Sequence, residues 1–373
     1  MPKAAGLITS IQANELRTRL AQLAIETVLR FSRETGVERP AERSGRLSIA
    51  RTQQHAALIQ RERSRRWGVD GEVIDPLEVQ RLAPYIELDG IVAACGIPGD
   101  VYIEESGSLF IAYQEAAAKH GWTVIGYTPV SGIRMRQGGV IGVTTPGGEI
   151  ATPVVMDEAR AWARQVGRLA GVTVPVVPMR QQLYTTERIP GIERAYPTVR
   201  IIDAAVSVRP ARGGIIVGGF KSSRLPVDPA QRGDAFSIED VPLDFGVLEQ
   251  LTGLVERTVP VVRPTSVREH RGGRYTMTGD GRFAVGPVPA VRGFWTMAGC
   301  TGSGLSFSPA LGRVLAEWIV HGELSIDSRA LPPERFARQL SEEELLAAAR
   351  WQYTHDYTPP ADVTVPAGGS HRV

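Results

Sequence analysis

The sequence predicts an α+β protein in which helices and strands are mixed along the chain. Three observations predict it. Apolar residues recur at helical spacing through much of the first third, strand-like alternation sets in from about residue 122, and near residue 300 a strand, a glycine-rich loop and a helix follow one another directly.

From Asn14 to Gly36 the residues Leu16, Leu20, Leu23, Val28 and Phe31 lie on one helical face, with Asn14 placed to cap the start and Gly36 to end it. Asp75-Pro76-Leu77-Glu78 opens a second helix. Asp is a good N-cap, Pro tolerates the first helical position, and Glu follows two residues later. Ser108 to His120 is an alanine-rich third helix closed by Gly121. Trp122–Tyr127 and Gly139–Thr145 then read as strands. Pro146-Gly147-Gly148 turns the chain, and Glu149–Met156 returns as a third. A helix is expected over about 159–170, with further strands at Val174–Thr186, Ala205–Val208 and Gly214–Phe220. Phe294–Ala298 is a short apolar strand. Gly299, Cys300, Thr301, Gly302, Ser303 and Gly304 form the glycine-rich loop, and Ser308-Pro309 opens a helix closed by Gly322. Such a loop lets a ligand approach the backbone, whose free N–H groups carry the positive end of the helix dipole. A tight connection with no ligand has the same sequence. The segment from about Tyr357 is rich in Pro and Gly and poor in apolar residues, which predicts a disordered tail.

Bulk properties exclude several function classes. The 373 residues carry 42 basic and 40 acidic side chains, a net charge of +2, so nothing selects for nucleic acid or an anionic membrane. The densest basic run, Arg61 to Arg66, contains an acid and reads as a solvated helix face. No apolar stretch approaches the ~20 residues of a membrane span. Cys95 and Cys300 cannot make a disulfide framework, and His55, His120, His321 and His355 show no metal spacing. A cytoplasmic protein without metal is expected.

Read together, several short motifs carry a resemblance. They are Ala4-Ala5-Gly6-Leu7, Gly96-Ile-Pro-Gly99-Asp100, Ala161-Trp162-Ala-Arg-Gln-Val166-Gly167, Val177-Pro-Met-Arg180-Gln181-Gln182 and Val208-Arg209-Pro210. Thr278-Gly-Asp280-Gly281, Val285-Gly286-Pro287 and Ala298 to Gly304 before Pro309 complete the set. Their order and spacing over roughly residues 4–345 resemble the D-amino-acid-oxidase-like flavoproteins, most closely the dimethylglycine dehydrogenase, sarcosine dehydrogenase and sarcosine oxidase branch. The resemblance implies an FAD-binding Rossmann-like layer, from 1–39, 107–170 and 284–345, interleaved with an antiparallel-sheet substrate domain from 40–106 and 171–283. Residues 346–373 would be a C-terminal tail. It also implies hydride transfer from the C–H beside a secondary or tertiary amine to flavin, with an electron acceptor or partner subunit. Ala4, Ala5, Gly6, Leu7, Ala161, Trp162 and the loop Gly299–Gly304 would bind FAD.

Departures from the family pattern qualify this picture. The opening strand with Gly-x-Gly-x-x-Gly that seats the FAD pyrophosphate is absent, so the FAD layer is expected to be incomplete at its N-terminus. Lys3 stands where dehydrogenases of this branch carry a histidine that bonds to the flavin, so a non-covalent FAD is expected. Asp157-Glu158-Ala159-Arg160 replaces Asn-Ala-Ala-Gly in a loop that passes near the dinucleotide. It either crowds a pyrophosphate or turns its charges to solvent. Ser303 replaces a histidine, and Ser306 replaces a lysine that helps hold a substrate carboxylate in sarcosine oxidases. Arg180 and Arg209 either clamp a substrate carboxylate or make structural ion pairs. His270 and Tyr275 are the candidate catalytic residues, each with a purely structural alternative. The same sequence also fits a non-catalytic binding or scaffold subunit. A NAD-dependent dehydrogenase fits poorly, for want of a complete dinucleotide fingerprint.

Overall fold

A computed structural model describes the chain except residues 1–2, 39–40, 65–66, 220–224, 228, 230–235, 238–239, 337–339 and 356–373. The tail from Tyr357, Phe220, and Arg65 and Arg66 of the basic run therefore lie outside the described residues. In chain order the elements begin with β1 (Leu7–Ile8), α1 (Glu15–Thr35), β2 (Arg46–Ala50), α2 (Gln53–Ser64), β3 (Glu72–Ile74), α3 (Pro76–Leu82), β4 (Ala93–Ile97), β5 (Val101–Tyr102) and α4 (Ser106–Lys119). There follow β6 (Gly132–Arg136), β7 (Gly139–Thr145), β8 (Gly148–Ala151), β9 (Val155–Asp157), α5 (Ala163–Leu169), β10 (Val177–Thr186), β11 (Thr198–Ile201), β12 (Val206–Ala211) and β13 (Gly214–Gly219). The chain continues with α6 (Gly246–Val255), β14 (Val267–Met277), β15 (Ala284–Pro287), β16 (Phe294–Ala298), α7 (Gly304–His321) and α8 (Glu342–His355).

Local chemistry explains the helix ends. The Asn14 side chain accepts from Arg17 N–H at 2.9 Å, and Gly36, at φ +65°, closes α1 in the left-handed region. Asp75 caps α3 in the same way by accepting from Glu78 N–H at 2.9 Å. The buried stripe of α1 (Leu20, Ala21, Ala24 and Val28) packs in one cluster with Leu311, Val314 and Leu315 of α7. Each leucine or valine among them contributes roughly 1.5–3 kcal/mol on full burial.

The dominant feature is an eight-stranded sheet in the order β14-β10-β13-β12-β11-β2-β4-β3. All pairs are antiparallel except β11 with β2. Every strand of it falls within 40–106 and 171–283. One face carries Tyr184, Val199, Ile201, Val206, Val208, Ile215 and Val217, which pack with Val79 of α3 and Leu251 and Val255 of α6. The intervening residues point the other way, because successive strand side chains alternate between faces. A three-stranded sheet, β15-β16-β9, stands beside α1 and α7, with β9 parallel to β16 and at its edge. Strands β6, β7 and β8 form a separate meander.

Five expectations need correction. Residues 122–127 are irregular rather than a strand, and their apolar side chains are exposed: Trp122 to 64% and Ile125 to 59%. Alternation alone cannot hold a strand that lacks a paired neighbour. The run 149–156 is two strands, not one. It breaks at Pro153, which lacks a ladder donor, and β9 then joins a different sheet. The helix expected over 159–170 is a 3-10 turn, Arg160–Trp162, followed by α5. Helix α7 begins at Gly304, four residues before the expected start, and carries Pro309 inside it. Proline offers no N–H to Leu305 O, and the Ser308 hydroxyl donates to that carbonyl instead, at 3.2 Å. Residues 346–355, assigned to the tail, continue α8. Its Leu345, Ala349 and Tyr353 pack against Val177, Met179 and Met277.

Candidate functional site

A cavity of about 370 Å³ lies between the second face of the large sheet and a roof made by residues 3–7 and the start of α7. Strand parity decides what reaches it. Gln181 and Leu183 of β10, Ser207 and Arg209 of β12, Ile216 and Gly218 of β13, and Gly273 and Tyr275 of β14 line the cavity. Thr198 and Arg200 of β11 and Arg46 of β2 extend this floor. Arg180 and His270 occupy the opposite parity. Arg180 donates to Pro242 O at 2.7 Å and pairs with Asp244 at 3.3 Å. His270 lies edge-on to Phe245, with ring centroids 5.3 Å apart. Neither lines the cavity.

The roof is held by backbone geometry that only certain residues permit. Gly6 sits at φ +82°, and a Cβ there would lie 2.1 Å from Ile103 O. Gly302, at φ +86°, rests on the Tyr275 ring, which a Cβ would meet at 2.7 Å. Ala4, Ala5, Gly6, Leu7, Gly302 and Ser303 all line the cavity. Gly299, Cys300, Thr301 and Gly304 shape the turn from behind. Cys300 N–H donates to the Thr276 hydroxyl at 3.3 Å, and Gly299 abuts Thr278.

Arg209, 1% exposed, ties this roof to the floor. Its guanidinium donates to Ala5 O at 2.6 Å, Pro210 O at 2.5 Å and Glu104 O at 3.1 Å, and it lies 4.6 Å from the Tyr102 ring centroid. Burial pulls its pKa down to about 10, which leaves it charged at neutral pH. Asp100 makes a second tie. It accepts from Ser10 N–H at 2.8 Å and Ser10 Oγ at 2.5 Å, and it forms a buried ion pair with Arg46 at 2.8 Å.

The family model for FAD dependent oxidoreductases matches residues 3–318. The chain belongs to this family. It is 31% identical over 347 residues to mouse mitochondrial sarcosine dehydrogenase, covering 91% of this chain and 37% of that protein. Against rat mitochondrial dimethylglycine dehydrogenase it is 28% identical over 364 residues, covering 94% and 42%. It therefore spans about two-fifths of the length of these curated relatives. Among solved structures, L-proline dehydrogenase from P. horikoshii superposes with a TM-score of 0.80 at 22% identity, covering 90% of this chain and 87% of that one.

The cavity fits the ring end of the FAD that defines the family. Gly273 presents no side chain, and a Cβ there would have only Lys3 Cβ within reach, at 3.9 Å, so a side chain would project into the space. Ser306 Oγ is buried on the cavity wall and has no partner among the described residues. The amino end of α7, which has no side-chain cap, borders the cavity through Ser303, Leu305 and Ser306, and the positive end of its dipole favours the negative charge of a reduced ring. Five cations line the cavity (Lys3, Arg17, Arg46, Arg200 and Arg209), and no acid does so among the described residues. Arg17, Arg46 and Arg200 were not anticipated. The signal for Arg200 was the alternation in Thr198-Val199-Arg200-Ile201, which places Arg200 opposite two apolar neighbours. Arg17 comes from the first turn of α1 and reaches Ser303 Oγ at 3.5 Å.

Ala161 and Trp162 do not reach the cavity. Trp162 stacks near Phe236 at 6.4 Å, with the Arg274 guanidinium 5.6 Å from its ring centroid. In the preceding loop Glu158 and Arg160 are exposed, while Asp157 is 1% exposed. Asp157 accepts from Ala159 N–H at 3.0 Å. Its other oxygen has no partner among the described residues, and neither does Oγ1 of Thr296, its register neighbour on β16. Burial, with a smaller contribution from Glu158, pushes the Asp157 pKa up to about 7. Arg160 holds φ +53°, a left-handed conformation that favours glycine. An Arg160→Gly protein is expected to be more stable by about 1 kcal/mol, the relief of left-handed strain less the added freedom of the unfolded chain. A denaturant midpoint equal to or below that of the parent would show that Arg160 is held by contacts worth more than the strain.

Proposed function

We propose that the chain is the flavin-facing and substrate-binding part of an FAD-dependent oxidoreductase that oxidises the C–N bond of a secondary or tertiary amine bearing a carboxylate. The observation that carries this reading is the composition of the cavity wall: five cations, no acid among the described residues, and a glycine-lined roof ending at a helix amino terminus. The chemistry supplied there by a bound flavin is acceptance of a hydride from the C–H beside the amine nitrogen. The chain's own residues do the rest. Gly302, Ser303 and Ser306 offer donors at the end of α7, and Arg209 and Asp100 fix the 4–10 stretch that forms the opposite rim. Leu183, Ile216 and Gly218 give the floor an apolar stretch beneath the reacting carbon. Tyr275, beneath the loop, is the proposed catalytic residue. Its phenol borders the same cavity, and it positions the amine against the ring.

The dinucleotide end has no such seat among the described residues. The test is anaerobic addition of sarcosine or dimethylglycine to the chain in excess FAD. Loss of the visible flavin band is the expected result. A band unchanged across a panel of N-methyl amino acids would overturn the reading.

A further inference from the structure

Gln181 of β10 is a polar residue of the cavity floor, 5% exposed, and its carboxamide is held at both ends. The nitrogen donates to Gly219 O of β13, and the oxygen accepts from the Tyr353 hydroxyl of α8. A carbonyl oxygen can only accept, so Gly219 O decides which end of the amide faces β13. The amide oxygen is then left toward Tyr353, and the phenol must donate to it. Arg180 O, at 3.5 Å, is a more distant acceptor for the same proton. Tyr353 itself is buried in the cluster of Val177, Met179, Met277, Leu345 and Ala349. The strand residues of that cluster share the parity of Gln181 and Tyr275, so α8 packs on the cavity face of the sheet. Tyr353 is not among the residues that line the cavity.

We propose that Tyr353 is a positioning residue that holds the Gln181 carboxamide so that its second N–H is kept as a donor to the molecule in the cavity. The proposal rests on the flavin-dependent amine-oxidoreductase reading and deepens it. One amide hydrogen is committed to Gly219 O, and the other has no partner among the described residues. A donor left unbonded at so buried a position is costly, and an acceptor on a bound ligand removes that cost. Nothing but the two hydrogen bonds keeps the amide in place on its β14 side. Register pairs Gln181 with Gly273, where a Cβ would find Lys3 Cβ only at 3.9 Å. Without the phenol the amide keeps one anchor, and the space over Gly273 is open to it. The run from Tyr353 through Gln181 to Gly219 has a single direction, and each bond in it polarises the next. The acceptor is a ring carbonyl or ring nitrogen of the flavin, or an oxygen of the substrate.

The test is a double-mutant cycle of the parent, Tyr353→Phe, Gln181→Met and the two together. Three quantities are read. Quenching of flavin fluorescence gives the Kd for FAD, and anaerobic flavin reduction at rising N,N-dimethylglycine gives a half-saturating concentration and a limiting rate. The side-chain amide signals of Gln181 in chain labelled with 15N-glutamine, without flavin, report its orientation directly. Tyr353→Phe is expected to move or broaden those signals and to weaken binding about tenfold. The same substitution should have no effect on binding in the Gln181→Met background. Weaker FAD binding identifies the ring as the acceptor. A higher half-saturating concentration with the FAD Kd unchanged identifies the substrate. Leu345→Val, which loosens the packing of α8 and keeps the hydroxyl, should match the parent in both. Gln181 signals unmoved by Tyr353→Phe, or losses of binding that add in the double variant, would overturn the proposal. Flavin reduction alongside such a result would leave the oxidoreductase reading standing. Coupled losses of FAD binding without reduction by any N-methyl amino acid would sink that reading and keep the role of Tyr353.

Discussion

A Gly6→Ala protein is expected to lose about 3 kcal/mol of stability or more, and to fail to retain flavin at concentrations that saturate the parent. Two costs coincide at this position. The backbone holds φ +82°, where an L side chain is strained, and the added methyl would lie 2.1 Å from Ile103 O. Neither partner can yield cheaply. Gly6 O accepts from Ile103 N–H at 2.9 Å, and Arg209 holds both Ala5 O and Glu104 O. Making room means lifting the 4–7 stretch off the 101–104 segment, which breaks those bonds and leaves the buried Arg209 charge short of acceptors. Denaturant unfolding measures the first effect and gel filtration with FAD the second. A protein within about 0.5 kcal/mol of the parent that keeps its flavin would show that the roof is not pinned as described.

The second large effect is pH-dependent. Asp157→Asn is expected to stabilise the chain by an amount on the order of 4 kcal/mol above pH 7, and by little below pH 4. The folded-state pKa of Asp157 is raised to about 7 by burial, whereas an unfolded aspartate titrates near 4. Between those values the folded chain keeps a proton that the unfolded chain has released. The contribution to stability is therefore full in acid and is lost as pH rises through 7. Asparagine needs no proton to stay neutral. It can still accept from Ala159 N–H, and its amide can donate toward the unpartnered Thr296 oxygen. Unfolding both proteins at pH 5 and pH 8 isolates the effect as the change in their difference. Parallel losses in the two proteins would mean that Asp157 is ionised in the folded chain throughout.

Much of this architecture was legible in the residues because local chemistry and global fold agreed there. Asn14, Gly36, Asp75 and Gly322 each mark a helix end whose cap forms as the side chain or missing side chain dictates. Ala4–Leu7 and Gly302–Ser303 reach the cavity because the glycines among them serve close backbone approach, which depends on the residue itself. What stayed hidden depended on partners distant in sequence. Trp122–Tyr127 alternates like a strand but has no neighbour to pair with. The two faces of β10 and β14 look alike in sequence, so Arg180 and His270 were as eligible as Gln181 and Tyr275 until the core side was known. Arg200 stayed unread because β11 is only four residues long, too short for its alternation to stand out.

The two-sidedness of the large sheet bears on how such a protein can acquire new chemistry. Along β10, β11, β12 and β14, residues that hold the fold and residues that meet a ligand take turns in the sequence. A replacement at Ser207, Gly273 or Arg200 reshapes the ligand's surroundings, yet it leaves the apolar layer formed by Tyr184, Val199 and Val208 untouched. Ligand preference and fold are thus inherited on separate letters of the same words. A lineage can drift from one amine to another by single changes, without first having to rebuild the layer beneath.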